Sequence, residues 1–459
     1  MRKRNKVKIS QALLPTTIAL VLVGSVGSFA AARKWDSIDL KNNLIEVQVV
    51  PQIGGRIIQY KLGDYGFFWV NDQLAGTEPP ATGVGPKGEW LNYGGDKMWP
   101  APQGWDNDRQ WPGPPDPVLD GEPYAAEVIE KQGQPATIRL TSQKDKRSGI
   151  QFSRLLKTFD GTTHVSIDAT MTNIDTKPRR WGIWTVTQFD TRNRHGDGYN
   201  QNFRAYCPLN PRSKLYKGYR VLYGVVNNTS FKPDYENQMM RVNYQHRVGK
   251  IGLDSSAGWV ATVDAANGYA FVHRFTYEAD KPYPDDSSVE FWCNGLGEFV
   301  AWGKVNKMPE DPKDNPYLLE TEILSPFANL QPGQSYTFHY DWYAAKVPPD
   351  FPVVACSDVG VTCQPLTARL RGRKLVLSGG FGVFYKANCC PVLLDANGNK
   401  IKELGSPVPV NPLEPLVVSG TAESFGDTDI PASADKIALY LYDAEEQMLG
   451  ELAGAKIQR

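Results

Sequence analysis

The chain has 459 residues, with 50 Lys+Arg balanced by 50 Asp+Glu, 41% hydrophobic and 11% aromatic residues, 42 Gly and 34 Pro. That length suits two domains and that apolar fraction a full core, while the balanced charge without a basic run argues against nucleic-acid binding. The Gly, Pro and aromatic content, with no heptad spacing, points to many short strands and turns rather than a helical bundle.

Arg2, Lys3, Arg4, Lys6 and Lys8 precede an apolar run, TTIALVLVGSVG, and small residues follow at Ser28, Ala30, Ala31 and Ala32. This is the pattern of a secretory signal peptide over residues 1–32, cleaved after Ala30 or Ala32. The apolar run is short for a span and Pro15 interrupts it, so a mature chain exported to the periplasm or beyond, without a membrane span, is expected. Losing the segment removes five of the 50 basic residues and no acid, leaving 45 against 50, or −5. Export permits disulfides. Cys356 and Cys363 are spaced to close a small loop, and adjacent Cys389 and Cys390 are expected to pair elsewhere than with each other.

The mature chain then reads strand after strand. LIEVQVVPQIGGRIIQYKL gives two strands about a Pro-Gly turn, and GFFWVN a third. AEVIEKQ, ATIRLTSQ, IQFSRLLKTF, THVSIDATMTNI and RRWGIWTVTQF follow, each bounded by Gly, Pro, Asp or Asn. GWVATVDAANGYAFVHRF predicts a hairpin, and YLLETEILSP and QSYTFHYDWYAAKV two more strands about Pro332-Gly333. VPPDFP then marks a linker. The shorter strands beyond it predict a separate β-sandwich over residues 350–459, with a hairpin turn at DANGNK. The fold class is therefore all-β: a large antiparallel sandwich over 36–345 and a small accessory one.

One loop interrupts the strands: WLNYGGDKMWPAPQGWDNDRQWPGPPDP, residues 90–117, with four of the chain's twelve tryptophans. So many Pro and Gly exclude a helix or a central strand. A sugar ring has one apolar face of C–H groups and a rim of hydroxyls, so its site needs flat aromatic platforms beside fixed polar groups. Trp99 and Trp105 are the expected platforms. Asn92, Asp96, Lys97 and Gln103, with Asp106 and Arg109, are expected polar partners, and Gly94-Gly95 would admit a close backbone approach. Arg56 and Arg274 offer planar donor forks for paired hydroxyls or a carboxylate. Tyr283 to Asp286, YPDD, places two acids in one turn that could meet a cation. GVGPKG lacks the strand–helix context of a nucleotide loop, and no clustered Cys/His or zinc spacing occurs. No metal or cofactor is expected.

The runs VVPQIGGRIIQY, WLNYGGDKMWPAPQGW and WPGPPDP, with WGIWTVTQF, KIGLDSSAGWVAT and LLETEILSPFANLQPGQSYTFHYDW in that order, resemble a family of exported bacterial proteins of unknown function. That family lies within the galactose mutarotase-like superfamily, and the resemblance covers residues 40–345. It implies a β-supersandwich whose concave face binds a mono- or oligosaccharide. Mutarotation needs a base at the anomeric hydroxyl and an acid at the ring oxygen. Glu320 and Glu322 alternate on one strand and so share a face; the resemblance makes either a candidate base. The strand comparable to the one carrying the mutarotase histidine has none here, and Trp184 and Gln188 are expected to face the cleft instead. A carbohydrate-binding protein, an aldose 1-epimerase and a structural envelope protein with a filled cleft are the functions in contention.

Overall fold

The computed structural model describes residues 35–130, 137–372, 374–421 and 430–459. The signal peptide expected over 1–32 lies outside the described residues. No helix among the described residues is long and apolar enough to cross a membrane.

Period-2 patterning builds the larger unit. In Ile150–Thr158 and Val165–Asn173 every second residue is buried: Ile150, Phe152 and Leu156 point inward while Gln151, Ser153 and Lys157 point outward. Ten strands of this kind form one antiparallel sheet, running from Phe231–Asp234 at one edge to Ala125–Glu130 at the other. An eleven-stranded sheet faces it. Its path is Ile38–Lys41, Ile45–Val50, Arg56–Leu62, Asp96–Ala101, Arg179–Asp190, Leu318–Leu324, Val289–Cys293, Gly249–Leu253 and Arg220–Gly224. One continuous apolar core lies between them. Each fully buried Ile, Leu or Phe there contributes about 1.5–3 kcal/mol. The all-β sandwich read from the sequence is what the structure shows.

The strands from Ala355 onward form a nine-stranded half-barrel sheet around its own core. It packs on the outer face of the ten-stranded sheet. In Trp259–Asp264 all six residues are buried, because Val260 and Thr262 face the sandwich while Ala261 and Val263 face Val353, Val361, Cys363 and Phe384 of the second unit. A strand covered on both faces needs no polar alternation, and small side chains let the two layers approach. Main-chain bonds close the seam: Thr163 N donates to Phe384 O and Lys386 N to Gly161 O, at 2.9 and 2.8 Å. The expected turns at Ala265–Gly268 and Asp395–Asn399 join the strands they were read to join, while Pro332-Gly333 joins Ser335–Lys346 to a short strand, Ala328–Leu330, rather than directly to Leu318–Leu324.

The expected disulfides are corrected: all six cysteines are free. Cys356 lies opposite Val361, so Cys363 is its diagonal neighbour two residues along. Such Cα atoms stand about 7–8 Å apart, beyond disulfide reach. Cys389 faces the apolar core of the half-barrel. Burial pushes the thiols of Cys207, Cys356, Cys363 and Cys389 up to about 12. Thiolate reagents are therefore expected to leave those four unmodified in native buffer and to titrate six thiols after denaturation. Fewer than six in denaturant without reductant would overturn the assignment.

Candidate functional site

The cleft lies on the face of the eleven-stranded sheet that turns away from the ten-stranded one. Alternation sends Trp99 and Lys97 to that face from one strand, Trp184 and Gln188 from the next, Glu320 and Glu322 from a third, and Glu290 and Trp292 from a fourth. Register sets them side by side. Trp184 pairs with Trp99, Gln188 with Glu320, Glu320 with Trp292, Glu322 with Glu290, and Lys250 with Trp292. The result is a cleft of about 760 Å³, walled by Trp69, Trp90, Trp99, Trp184, Trp292 and Trp302. A two-stranded hairpin, Glu298–Ala301 and Lys304–Lys307, forms one lip. It meets the Trp-rich loop through Trp302 Nε1, which donates to Gly104 O at 2.6 Å.

Glu320 is the carboxylate of this floor. Gln188 Nε2 donates to its Oε1 at 2.6 Å, and the Lys97 ammonium stands 3.6 Å from the same oxygen. Lys97 is buried just below, its ammonium 5.0 Å from the Trp99 ring and 5.7 Å from Trp90. Burial lowers that ammonium from 10.5 to about 8, against the pull of Glu320. Among the described residues Lys97 Nζ and Gln188 Oε1 have no hydrogen-bond partner. A buried polar atom of this kind gains from any ligand that satisfies it.

Behind the floor sit two braces. Arg56, fully buried, donates to both carboxylate oxygens of Asp120 at 2.8 and 2.9 Å. Asp120 also accepts from Trp90 Nε1 at 2.7 Å and Trp99 Nε1 at 2.9 Å, fixing both indoles. The end of the Trp-rich loop delivers Asp120: Asp116 caps the turn Pro117–Gly121 by accepting from the Val118 and Leu119 amides. The second brace is Lys250, which donates to Glu290 at 2.7 Å and Glu322 at 2.8 Å and lies 4.3 Å from the Trp184 ring. Trp184 Nε1 completes it by donating to Glu322 Oε2 at 2.6 Å.

The structure thus sorts the residues singled out in the sequence. Asn92, Trp99, Gln103, Trp184, Gln188 and Glu320 line the cleft. Lys97 lies directly beneath it. Glu322 points the same way as Glu320 but is sealed by Trp184 and Lys250, so it braces the floor rather than facing a ligand. Arg56 is a brace too, not a surface contact. Asp96 is on the opposite face, inside the sandwich, held by Arg154 and by Thr187 Oγ1 at 2.6 Å. Trp105, 58% exposed, stands outside the cleft, because its stretch of the loop turns outward. Arg274 faces the second unit and pairs with Asp358. None of the five histidines lines the cleft; His273 is sealed between the sheets, where burial lowers it to about 3.

Gly94 and Gly95 do allow a close approach. Both have positive φ, +93° and +70°, and an added Cβ would lie 2.2 Å from Trp69 O or 2.5 Å from Ile57 O. Gly94→Ala is therefore expected to destabilise by more than about 1 kcal/mol in denaturant titration. Missed in the sequence were Lys250, Glu290, Trp292, Trp302 and Asp120. The alternation in VEFWCN could have placed Glu290 and Trp292 on one face; nothing local in sequence marks Asp120 as the partner of Arg56.

Two packed antiparallel sheets, with an aromatic cleft on the outer face of one, define an all-β sandwich protein. The family model described as a domain of unknown function, DUF4380, matches residues 36–345, 310 of the 459, and the chain belongs to that family. No curated protein matches the chain. It is similar to a galactose mutarotase-like protein from Lactobacillus casei, at 12% identity over 67% of this chain and 99% of that one, with a TM-score of 0.42. A galactose mutarotase-like protein from Clostridium acetobutylicum shows 11% identity over 68% and 95%, with a TM-score of 0.42. A TPR-domain containing protein from Parabacteroides distasonis shows 13% identity over 68% of this chain, with a TM-score of 0.43; this chain spans 48% of its length.

Proposed function

We propose that this protein binds a carbohydrate, a mono- or oligosaccharide, in the tryptophan-walled cleft, and that it does so outside the cytoplasm after loss of residues 1–32. The observation that carries the reading is six indoles around one cleft whose floor holds Glu320 and Gln188 above the ammonium of Lys97, which makes no hydrogen bond among the described residues. Aromatic faces suit the C–H side of a pyranose, and the polar floor suits its hydroxyls. An open cleft beside Glu320 also speaks against the structural envelope protein whose cleft is filled.

A glycan array with residues 33–459 tests this. Binding of defined glycans is expected, and Trp292→Ala, which removes a half-buried platform, should weaken it about tenfold. An array on which no glycan is retained would sink the reading.

Glu320 favours a second reading, a sugar 1-epimerase. It is the one catalytic candidate that reaches the cleft, and Lys97 beside it, with its ammonium near 8, is placed to supply a proton. Polarimetry on free aldoses separates the two: equilibration accelerated by the protein and lost in Glu320→Gln supports the enzyme, and an unchanged rate removes it.

A further inference from the structure

Beside the cleft, around Trp184, lies a smaller chamber of about 190 Å³. Gln103, Trp184, Tyr223 and Lys250 line both spaces, so the two adjoin. The chamber differs from the cleft in character. Its walls carry Lys250, Glu290, Asp285 and Arg220.

Two cations and two acids balance in number, but not in pairing. Lys250 is shared between Glu290 and Glu322, and Arg220 is engaged by Asp286 at 3.2 Å. Asp285, Glu290 and Glu322 thus have one ammonium among them, that of Lys250, while Asp286 lies outside the chamber and is 73% exposed. Glu290 is 2% exposed, and its Oε1, like Oε1 of Glu322, has no hydrogen-bond partner. The Asp285 carboxylate has no hydrogen bond or ion pair among the described residues. Buried acceptors without donors are costly unless something supplies the donors. Burial accordingly raises Asp285 above its ordinary value and pushes Glu290 up to about 8.

We infer that the chamber receives the ammonium group of an amino sugar whose ring lies along Trp184 in the cleft. The inference rests on the carbohydrate reading of the cleft and names the class of sugar. An ammonium brings three donors and, in a compact head, a positive charge that would take the place of the proton held by the group's second carboxyl, matching the open oxygens of Glu290 and Asp285. A hydroxyl brings one proton and no charge, and an N-acetyl group replaces the charge with bulk. Lys250 already occupies the centre of the acidic group, and among the described residues no three His, Cys, Asp or Glu side chains are grouped to hold a metal ion.

The test is a tryptophan-fluorescence titration of residues 33–459 with D-glucosamine and D-galactosamine, beside D-glucose, D-galactose and N-acetyl-D-glucosamine, at neutral pH. The hexosamines are expected to bind at least tenfold more tightly than the other three. Asp285→Asn and Glu290→Gln should each bring the ratio of hexosamine to hexose affinity close to one. Asp285 lies in a turn at φ +52°, which Asn adopts readily, so this variant reports even where Glu290→Gln fails to fold. Hexoses bound as tightly as hexosamines would overturn the inference and leave the carbohydrate reading standing. No binding of any of the five sugars, with no glycan retained on the array, would remove both.

Discussion

Lys250→Ala is expected to lower folding stability by about 3–5 kcal/mol, because it strips away the cation that two buried carboxylates share. The Lys250 ammonium is within 2.8 Å of both Glu290 and Glu322, which are 2% and 0% exposed. Removing it leaves Glu322 without a counter-charge behind Trp184 and Glu290 with only the small chamber beside it. The triple change Lys250→Met, Glu290→Gln, Glu322→Gln should recover most of the loss, since it removes all the charges together. Urea denaturation reads both. A loss under about 1 kcal/mol for Lys250→Ala would mean that the group is solvated and the brace is not one.

The same group sets a pH dependence. One ammonium balances one carboxylate, so the second holds its proton, and burial pushes Glu290 from 4.5 up to about 8. A carboxyl raised in the folded state contributes stability that is full below its unfolded value and is lost as pH rises through the folded one. The denaturation midpoint should therefore fall between about pH 5 and 8, and fall less in Glu290→Gln. Lys97 acts in the opposite sense in a higher window. Its ammonium is lowered to about 8, so its burial is a penalty at neutral pH that fades as pH rises from about 8 toward 10.5.

The sandwich was legible because its strands obey a simple period. IQFSRLLKTF and THVSIDATMTNI alternate so regularly that the inward set follows from any one residue of it. That rule also put Glu320 and Glu322 on one face. Depth was not legible, because it depends on the neighbours that register supplies. Glu320 falls between Gln188 and Trp292 at the cleft floor; Glu322, two residues on, falls beside Glu290 under Trp184. The Trp-rich loop was harder still. Its Gly and Pro content read as excluding a central strand, but Asp96–Ala101 is one, between Arg56–Leu62 and Arg179–Asp190, and the four indoles that read as one patch go three ways. Trp90 and Trp99 wall the cleft, Trp105 faces solvent, and Trp111 is buried with its Nε1 on Asp116 at 2.7 Å. Arg56 shows the same limit: its partner lies 64 residues away, at the far end of that loop.

Asp120 is where loop and sandwich are joined, and its loss should be as severe as that of Lys250. Its carboxylate, 4% exposed, receives the Arg56 guanidinium through both oxygens and the indole N–H groups of Trp90 and Trp99. Asp120→Ala leaves a fully buried guanidinium without its counter-charge, for an expected loss of about 3–5 kcal/mol, and frees two walls of the cleft. Asp120→Asn separates the two effects. It keeps one acceptor oxygen for the indoles but removes the charge, so it should lose stability while retaining more glycan affinity than Asp120→Ala. Trp105→Ala is the contrasting case: an exposed indole outside the cleft, expected to change stability by no more than about 0.5 kcal/mol. Equal losses in Asp120→Ala and Trp105→Ala would mean that the buried carboxylate does not organise the cleft wall.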